Sequence, residues 1–269
     1  MIGFFDSGVG GLTVLHECLV SLPAEDYLYV GDSGHFPYGT KQPDELQRRA
    51  VAIAQYLFEQ RVKLLVIACN SATAAAGPLI RQMGEQAGVP VITVVEPEAE
   101  IAAAISENGR VGVLATPATV TSGAYRVALD AQRRPLEVTE VAAADLAPTI
   151  QDDLSFDEEL IDMVRVYCEP FRTAGVDTLI LGCTHYPLIA PLLQRILGRD
   201  VRLVTAGHAM AGAIQRELTA RSILSLSSGE GDYRFVVTGD LDSFAESGAR
   251  FLQLPLGHRV SAASIPATD

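Results

Sequence analysis

Two cysteines in this sequence stand at positions where a thiol can do chemistry. Cys69 and Cys183 each end a β-rich apolar run and precede polar residues that open a helix pattern, in the segments 64–71 (LLVIACNS) and 178–185 (TLILGCTH). A thiol at a helix start lies near exposed N–H groups at the positive end of the helix dipole, which favours the thiolate. Each cysteine is therefore a candidate base or nucleophile.

A matched pair of thiols suits stereochemical inversion at a carbon atom. One thiolate removes a proton from one face, the opposite thiol delivers a proton to the other face, and the roles exchange in the reverse direction. A thiol with a pKa of about 8.5 is a weak base for a carbon acid, so preorganised donors in a closed, dry cleft must stabilise the transition state. A single cysteine with His185 would instead suggest a nucleophile for acyl transfer.

The other cysteines and histidines have plainer contexts. Cys18 and Cys168 fall on apolar helix faces and are expected in the core. His185, two residues after Cys183, is expected to be a functional partner of that thiol, whereas His35, in a long turn, stays undecided. Structural or solvated roles are expected for His16, His208 and His258.

The elements that must position the thiols are strands alternating with helices. Predicted strands cover residues 2–5, 27–30, 63–68, 89–95, 110–115, 136–141, 177–182, 201–204 and 233–238. Helical periodicity lies between them, most clearly over 46–58 and 160–171. Strands that are apolar throughout and joined by helices indicate mostly parallel sheets covered on both faces, so the fold class is α/β.

The two cysteine segments hint at an internal duplication. A second pair of segments, residues 3–7 and 112–116, has nearly the same offset, although buried parallel strands also resemble one another without common origin. We predict two pseudo-symmetric α/β domains with the active site in the cleft between them. Residues 1–95 with 206–254 form the first domain and residues 96–205 the second. A surface loop is expected at 225–232 and a poorly ordered tail at 255–269.

Ligands bind at the carboxyl ends of parallel strands, so the residues after the first two strands are further candidates. Asp6, Ser7 and a glycine-rich turn follow the first strand, and the functional-group-rich turn 31–40 follows the second. Asp6 either contacts a ligand or simply caps the next helix.

Composition excludes several classes of partner. The net charge is −13 and no Lys/Arg cluster is present, which argues against nucleic acid. A carboxylate substrate gains nothing from such a field, so its site must be built from backbone N–H groups and hydroxyls. No apolar run approaches the roughly 18 residues of a membrane span. An acid arrives too early for a signal peptide, so we expect a cytoplasmic enzyme with no membrane partner.

Four motifs in order resemble the glutamate racemases of the aspartate/glutamate racemase superfamily. They are DSG with a following GG at 6–11, PYG at 37–39, ACNSAT at 68–73 and GCTHYP at 182–187, and the likeness extends from Ile2 to about Leu252. The resemblance implies two pseudo-symmetric α/β domains with the active site between them and no cofactor. It also implies glutamate as substrate and D-glutamate as a product for bacterial peptidoglycan synthesis.

The resemblance further implies roles for individual residues. Cys69 and Cys183 are the implied catalytic acid–base pair, assisted by Asp6 and His185. The implied substrate contacts are Asp6, Ser7, Asp32, Tyr38, Gly39, Asn70, Ser71, Thr184 and His185. The chain departs from the family at Gln151, where many members have glutamate, and at Thr205-Ala206, where the family has Asp-Ser. These departures bear on pKa tuning, regulation and substrate preference, and no role is carried over to them.

Alternatives stay open at this point. One is a racemase for aspartate or a related amino acid, and another is a non-catalytic two-domain ligand-binding protein. The four cysteines include no C-x-x-C pair, which argues against a disulfide framework and a zinc site. A metal site formed by Asp6, Cys69, Cys183 and His185 is disfavoured because their spacing offers no local chelate. The sequence does not fix the oligomeric state, and a homodimer is one option.

Overall fold

The computed structural model of the protein describes residues 1–267. Its strands, β1 to β10 in chain order, are Ile2–Asp6, Tyr27–Gly31, Leu64–Ile67, Val91–Thr93, Arg110–Ala115, Glu137–Ala142, Thr178–Gly182, Arg202–Val204, Tyr233–Val237 and Val260–Ala262. Its helices, α1 to α11, are Leu12–Ser21, Pro43–Glu59, Asn70–Ala87, Val95–Ile105, Pro117–Ser122, Ala124–Asp130, Leu146–Asp152, Glu158–Ala174, Ala190–Leu197, Ala206–Ala220 and Leu241–Leu252. No helix in this part of the chain is both long and apolar enough to cross a membrane.

The strands form two parallel sheets with a repeated order. The first sheet runs β10-β9-β2-β1-β3-β4 and the second β6-β5-β7-β8. Strands β1 and β3 therefore occupy the same places in the first sheet as β5 and β7 occupy in the second. These are the two pairs of segments whose sequences resemble each other, so the α/β class and the internal likeness are confirmed. The carboxyl ends of β3 and β7 deliver one cysteine each.

Amphipathic helices cover the sheets. In α2 the apolar side chains at 46, 50, 53, 54 and 57 are buried, as are those at 160, 164, 168 and 171 in α8. Both faces follow the predicted periodicity, and each large apolar side chain removed from water contributes about 1.5–3 kcal/mol. Cys18 and Cys168 are fully buried among such residues, as expected.

The end of the chain corrects the predicted poorly ordered tail. Val260–Ala262 pair with β9 and form the edge of the first sheet, and Ile265 is buried. This three-residue strand is too short to show an alternating pattern, and main-chain pairing rather than side-chain periodicity holds it in place. Residues 268–269 lie outside the described part of the chain. Residues 225–232 form the expected loop, with exposed side chains at most positions.

Candidate active site

Both cysteines line one small cavity between the two sheets. The cavity has a volume of about 20 Å³, enough for about one water molecule. It is lined by Ser7, residues 36–40, residues 69–71, Thr116, Ala144, Ala147, Pro148 and residues 183–185. These residues follow β1, β2, β3, β5, β6 and β7, so the carboxyl ends of strands from both sheets converge here.

Cys69 is the N-cap residue of α3. Its Sγ accepts a hydrogen bond from the Ala72 N–H over 3.5 Å, which is the stabilisation expected at a helix start. Burial and, to a smaller extent, the nearby carboxyl of Asp6 nevertheless raise the pKa of the Cys69 thiol to about 12, although hydrogen bonds from Ala72 and Ser7 oppose the shift. Desolvation therefore affects the pKa more than the N–H groups at the helix start do, and in this closed state Cys69 is protonated.

Cys183 lies at the end of β7, beside His185. The residues after it form a short 3-10 helix, Tyr186–Ile189, rather than the predicted α-helix start, and α9 begins only at Ala190. Cys183 thus lacks a long helix dipole. Burial raises the pKa of its thiol well above the usual range, and the Cys69 sulfur adds to the shift.

His185 connects Cys183 to a residue from α7. Its Nδ1 lies 3.8 Å from the Cys183 Sγ, and its Nε2 lies 3.0 Å from the Gln151 Oε1. The ring packs between Phe36 and Phe251, with centroid separations of 5.3 and 5.1 Å. Burial in these surroundings lowers the pKa of His185 to about 3, so the imidazole is neutral.

Asp6 joins the two halves of the site without lining the cavity. One carboxyl oxygen accepts from the Gly8 N–H over 3.0 Å and the other from the Thr184 hydroxyl over 3.2 Å. The residue before α1 is Gly11, and its backbone N–H, like that of Gly8, stabilises the Asp6 carboxylate, so Asp6 also supports the start of this helix. Burial raises the pKa of Asp6 even though these hydrogen bonds oppose the shift.

The glycine-rich turn after β1 allows this close approach. A Cβ atom on Gly10 would lie 2.3 Å from the Thr184 Oγ1 and 2.5 Å from the His185 Nδ1. Any larger residue at this position would therefore push the Cys183 side of the site away.

Asp32 lies behind the cavity wall rather than in it. Its carboxyl group accepts two hydrogen bonds from Arg49, of 3.0 and 2.6 Å, and one of 2.5 Å from the Tyr38 hydroxyl. His35 contacts it at 2.9 Å, which gives this undecided histidine a structural place. Burial alone would raise the pKa of Asp32, but hydrogen bonds from Arg49, Thr238 and Tyr38 outweigh burial and hold it below its usual range. Asp32 therefore positions Tyr38.

Polar groups on the Cys69 side bridge the two sheets. The Ser71 hydroxyl lies 2.9 Å from that of Thr116, the N-cap residue of α5. A Cβ on Gly39 would lie 2.7 Å from the Thr116 Cβ, and the Gly39 carbonyl accepts from Ala118 over 2.9 Å. These contacts bring the turn after β2 against the second sheet.

The structure thus places every sequence-predicted site residue on the cavity except Asp6 and Asp32. Sequence reasoning missed Thr116, although the alignment of segment 3–7 with segment 112–116 makes Thr116 the equivalent of Ser7. It also gave no role to Gln151, which reaches His185, and none to Thr205 or Ala206, which do not line the cavity. His16 binds the Leu252 carbonyl at 2.8 Å, and His208 and His258 are exposed, as expected.

The donor set is unlike a metal centre. No group of three or more His, Cys, Asp or Glu residues within residues 1–267 is arranged to hold a metal ion. The cavity-lining residues include no Lys or Arg. The site instead offers thiols, hydroxyls and backbone groups, a set suited to proton transfer and hydrogen bonding.

Comparison with known proteins assigns the chain to a family. The family model for Asp/Glu/hydantoin racemases matches residues 10–214. The chain belongs to this racemase family. It is 42% identical over 252 residues to the glutamate racemase of Mycobacterium ulcerans (strain Agy99), covering 93% of this chain and 92% of that protein.

Solved structures agree with the sequence comparison. Glutamate racemase isoform RacE1 from Bacillus anthracis superimposes with a TM-score of 0.93 at 33% identity, covering 100% of this chain and 98% of that one. The glutamate racemase of Francisella tularensis subsp. tularensis SCHU S4, in complex with D-glutamate, superimposes with a TM-score of 0.92 at 31% identity. The match covers 99% of this chain and 98% of that one. The two parallel sheets flanked by helices are therefore the architecture of this family.

Proposed function

We propose that the protein is a glutamate racemase that interconverts L- and D-glutamate by two-thiol proton transfer without a cofactor. The observation that carries this proposal is the shared cavity of Cys69 and Cys183, at equivalent strand ends of two sheets. The names of the relatives support glutamate over aspartate as substrate. In a bacterial cell, the D-glutamate produced would supply peptidoglycan synthesis.

The protonation states define the starting point of the reaction. Both thiols are protonated at neutral pH because burial raises their pKa values. His185 is neutral and its Nδ1 faces the Cys183 sulfur. The Cys183 proton moves to this nitrogen as the sulfur takes the α-proton from one face of the substrate. The Cys69 thiol then delivers its proton to the opposite face.

The reverse direction uses the same atoms with exchanged roles. Asp6 lies close enough to Cys69 for its charge to raise the pKa of that thiol, and we assign it the part that His185 plays for Cys183. As the Cys69 sulfur takes the α-proton, Cys183 donates to the other face. Neither direction consumes or releases a net proton.

The substrate carboxylates must be held without cationic side chains. The donors available are the backbone N–H groups at the start of α3 and the hydroxyls of Ser7, Ser71 and Thr116, all on residues that line the cavity. Preorganised donors of this kind stabilise developing negative charge in a dry site. Because the cavity holds only about one water, substrate entry requires the two sheets to separate at this edge, and closure then excludes solvent.

Solvent isotope exchange tests the proposal. Purified protein in D₂O, with no pyridoxal phosphate or metal added, should place deuterium at the α-position of both L- and D-glutamate. Parallel reactions with L- and D-aspartate separate the two substrates, and much faster exchange is expected with glutamate. No exchange with either enantiomer of any acid would reject the racemase. Unchanged ligand affinity after Cys69→Ala and Cys183→Ala, in a protein without exchange activity, would favour a binding protein.

We also propose that the enzyme works in the cytoplasm. All four cysteines are free and buried, which suits a reducing compartment. The sequence leaves open whether the protein is a homodimer. Sedimentation equilibrium of the purified chain, with and without glutamate, measures its oligomeric state.

A further inference from the structure

A buried carboxyl group behind the cavity has no part in the proton transfers above. Glu98, on α4, has no exposed surface. Its stabilising contacts are hydrogen bonds from Tyr125 and Asn70, and no cationic side chain in the described part of the chain offsets its charge. One oxygen, Oε1, is buried with no hydrogen-bond partner among residues 1–267. Burying a carboxyl group with an unpartnered oxygen destabilises the folded state. We therefore look for a functional reason for its position.

Glu98 fixes the orientation of the Asn70 amide. The Asn70 Nδ2 donates to the Tyr125 hydroxyl oxygen over 2.7 Å and to the Glu98 Oε2 over 3.2 Å. The Tyr125 hydroxyl in turn donates to the same Glu98 oxygen. Because the Tyr125 hydroxyl spends its proton on Oε2, this oxygen is an acceptor in either protonation state of Glu98, and the Asn70 amide nitrogen must face it. The group left over on Asn70 is Oδ1, which is buried and unpartnered within the described residues.

The free oxygen belongs to a residue of the active-site wall. Asn70 lines the cavity directly after Cys69. An amino-acid substrate carries its ammonium group on the carbon that exchanges its proton, so the ammonium must lie near both sulfurs. An unpartnered acceptor oxygen at this wall is complementary to an N⁺–H donor, and hydrogen bonds to charged groups are the stronger kind.

We propose that Glu98 is a positioning residue for the substrate ammonium: with Tyr125 it holds the Asn70 amide so that Oδ1 accepts from the α-ammonium group. The proposal rests on the racemase function proposed above.

The test compares two ligands that differ only in the ammonium group. D-Glutamate and glutarate carry the same two carboxylates, and glutarate lacks the amine. Glu98→Leu removes the acceptor, and Glu98→Gln keeps an oxygen acceptor but cannot ionise. The matched control is Glu100→Gln on the same helix, whose exposed side chain pairs with Arg216 at 3.9 Å. Dissociation constants come from calorimetry, and KM and kcat come from racemisation kinetics.

Glu98→Leu should weaken D-glutamate binding about 10- to 100-fold and leave glutarate within about threefold of wild type. The change should appear in KM more than in kcat, and Glu98→Gln should recover part of the loss. Glu100→Gln should match wild type. Equal weakening of D-glutamate and glutarate binding would show a merely structural role and overturn the proposal. It would also be overturned if Glu98→Leu bound D-glutamate as tightly as Glu100→Gln does.

Two further arms keep the result decisive. If circular dichroism shows that Glu98→Leu does not fold, Glu98→Gln and Tyr125→Phe carry the same comparison, and the same selective loss for D-glutamate is expected. If the wild type shows exchange activity and the Glu98 variants bind D-glutamate as the wild type does, only the role of Glu98 is overturned. Absence of exchange in wild type overturns the racemase function, while the two-ligand comparison still decides whether Glu98 serves ammonium binding.

Discussion

The Nε2 atom of His185 lies 3.0 Å from the Oε1 atom of Gln151. Because an amide oxygen only accepts, the imidazole keeps its proton on Nε2 and presents Nδ1 as an acceptor to the Cys183 thiol. The resemblance described above implies a glutamate at the position of Gln151. A neutral partner fixes the tautomer, which leaves the Nδ1 lone pair facing the sulfur, but it does not stabilise the imidazolium form.

Gln151→Glu should raise the pKa of His185 from its value of about 3, because a carboxylate beside the ring stabilises the imidazolium. Protonated Nδ1 cannot accept from Cys183. Exchange from the enantiomer that Cys183 deprotonates should therefore gain an acid limb at higher pH than in wild type. NMR titration of the ring and the pH profile of exchange measure the two effects.

Gln151→Leu serves as the comparison for that variant. It removes the anchor of His185 without adding charge, so exchange should fall about tenfold with no new acid limb. Identical pH profiles for the Glu and Leu variants would show that the residue at 151 does not set the charge of His185.

Arg49→Met should destabilise the fold by about 3–5 kcal/mol, because it leaves the buried Asp32 carboxylate without its cation. Arg49 also donates to the Ile265 carbonyl over 2.6 Å, so the end of the chain should loosen as well. Urea unfolding at neutral pH measures the loss. The double variant Asp32→Asn with Arg49→Met should recover part of it, and a double variant no more stable than Arg49→Met would contradict this account of the pair.

Glu98 should make the protein less stable as pH rises from about 4.5 to about 8. Burial raises the pKa of Glu98 from 4.5 to about 8, with hydrogen bonds from Tyr125 and Asn70 opposing the shift. Between these values the folded state holds a proton that the unfolded state has lost, so the stabilisation present at low pH disappears. The full effect is at most about 5 kcal/mol.

Glu98→Gln isolates this contribution, since it removes the titration and leaves the other groups near Glu98, such as Cys183, in place. The difference in unfolding free energy between wild type and the variant should shift in favour of the variant from pH 5 to pH 8. A difference independent of pH across this window would show that Glu98 titrates normally.

Sequence reasoning recovered the parts of the fold that repeat a local pattern. The spacing of apolar residues predicts the buried strands and the buried faces of α2 and α8. The two similar cysteine segments predict equivalent strand ends. What it missed depends on packing across the chain. The short edge strand β10 exists because β9 offers main-chain partners. The thiol pKa values depend on burial that no local sequence records.

The same distinction separates the site residues. Motif positions such as Cys69 and Ser71 were found because they follow strands directly. Gln151 and Glu98 reach the site from α7 and α4, and only the folded chain shows that they contact His185 and Asn70. Asp32 is a predicted substrate contact that stays untested, and the structure shows that its carboxyl group accepts from Tyr38, a residue of the cavity wall.

In the proposed mechanism two sulfurs approach one substrate carbon from opposite faces. Deuterium incorporation in single-turnover reactions of Cys69→Ser and Cys183→Ser, each with L- and with D-glutamate, tests it most directly. Each variant should lose exchange by about 100-fold or more with one enantiomer, retain it with the other, and the affected enantiomer should differ between the two variants. Equal losses with both enantiomers in both variants would contradict a separate thiol on each face.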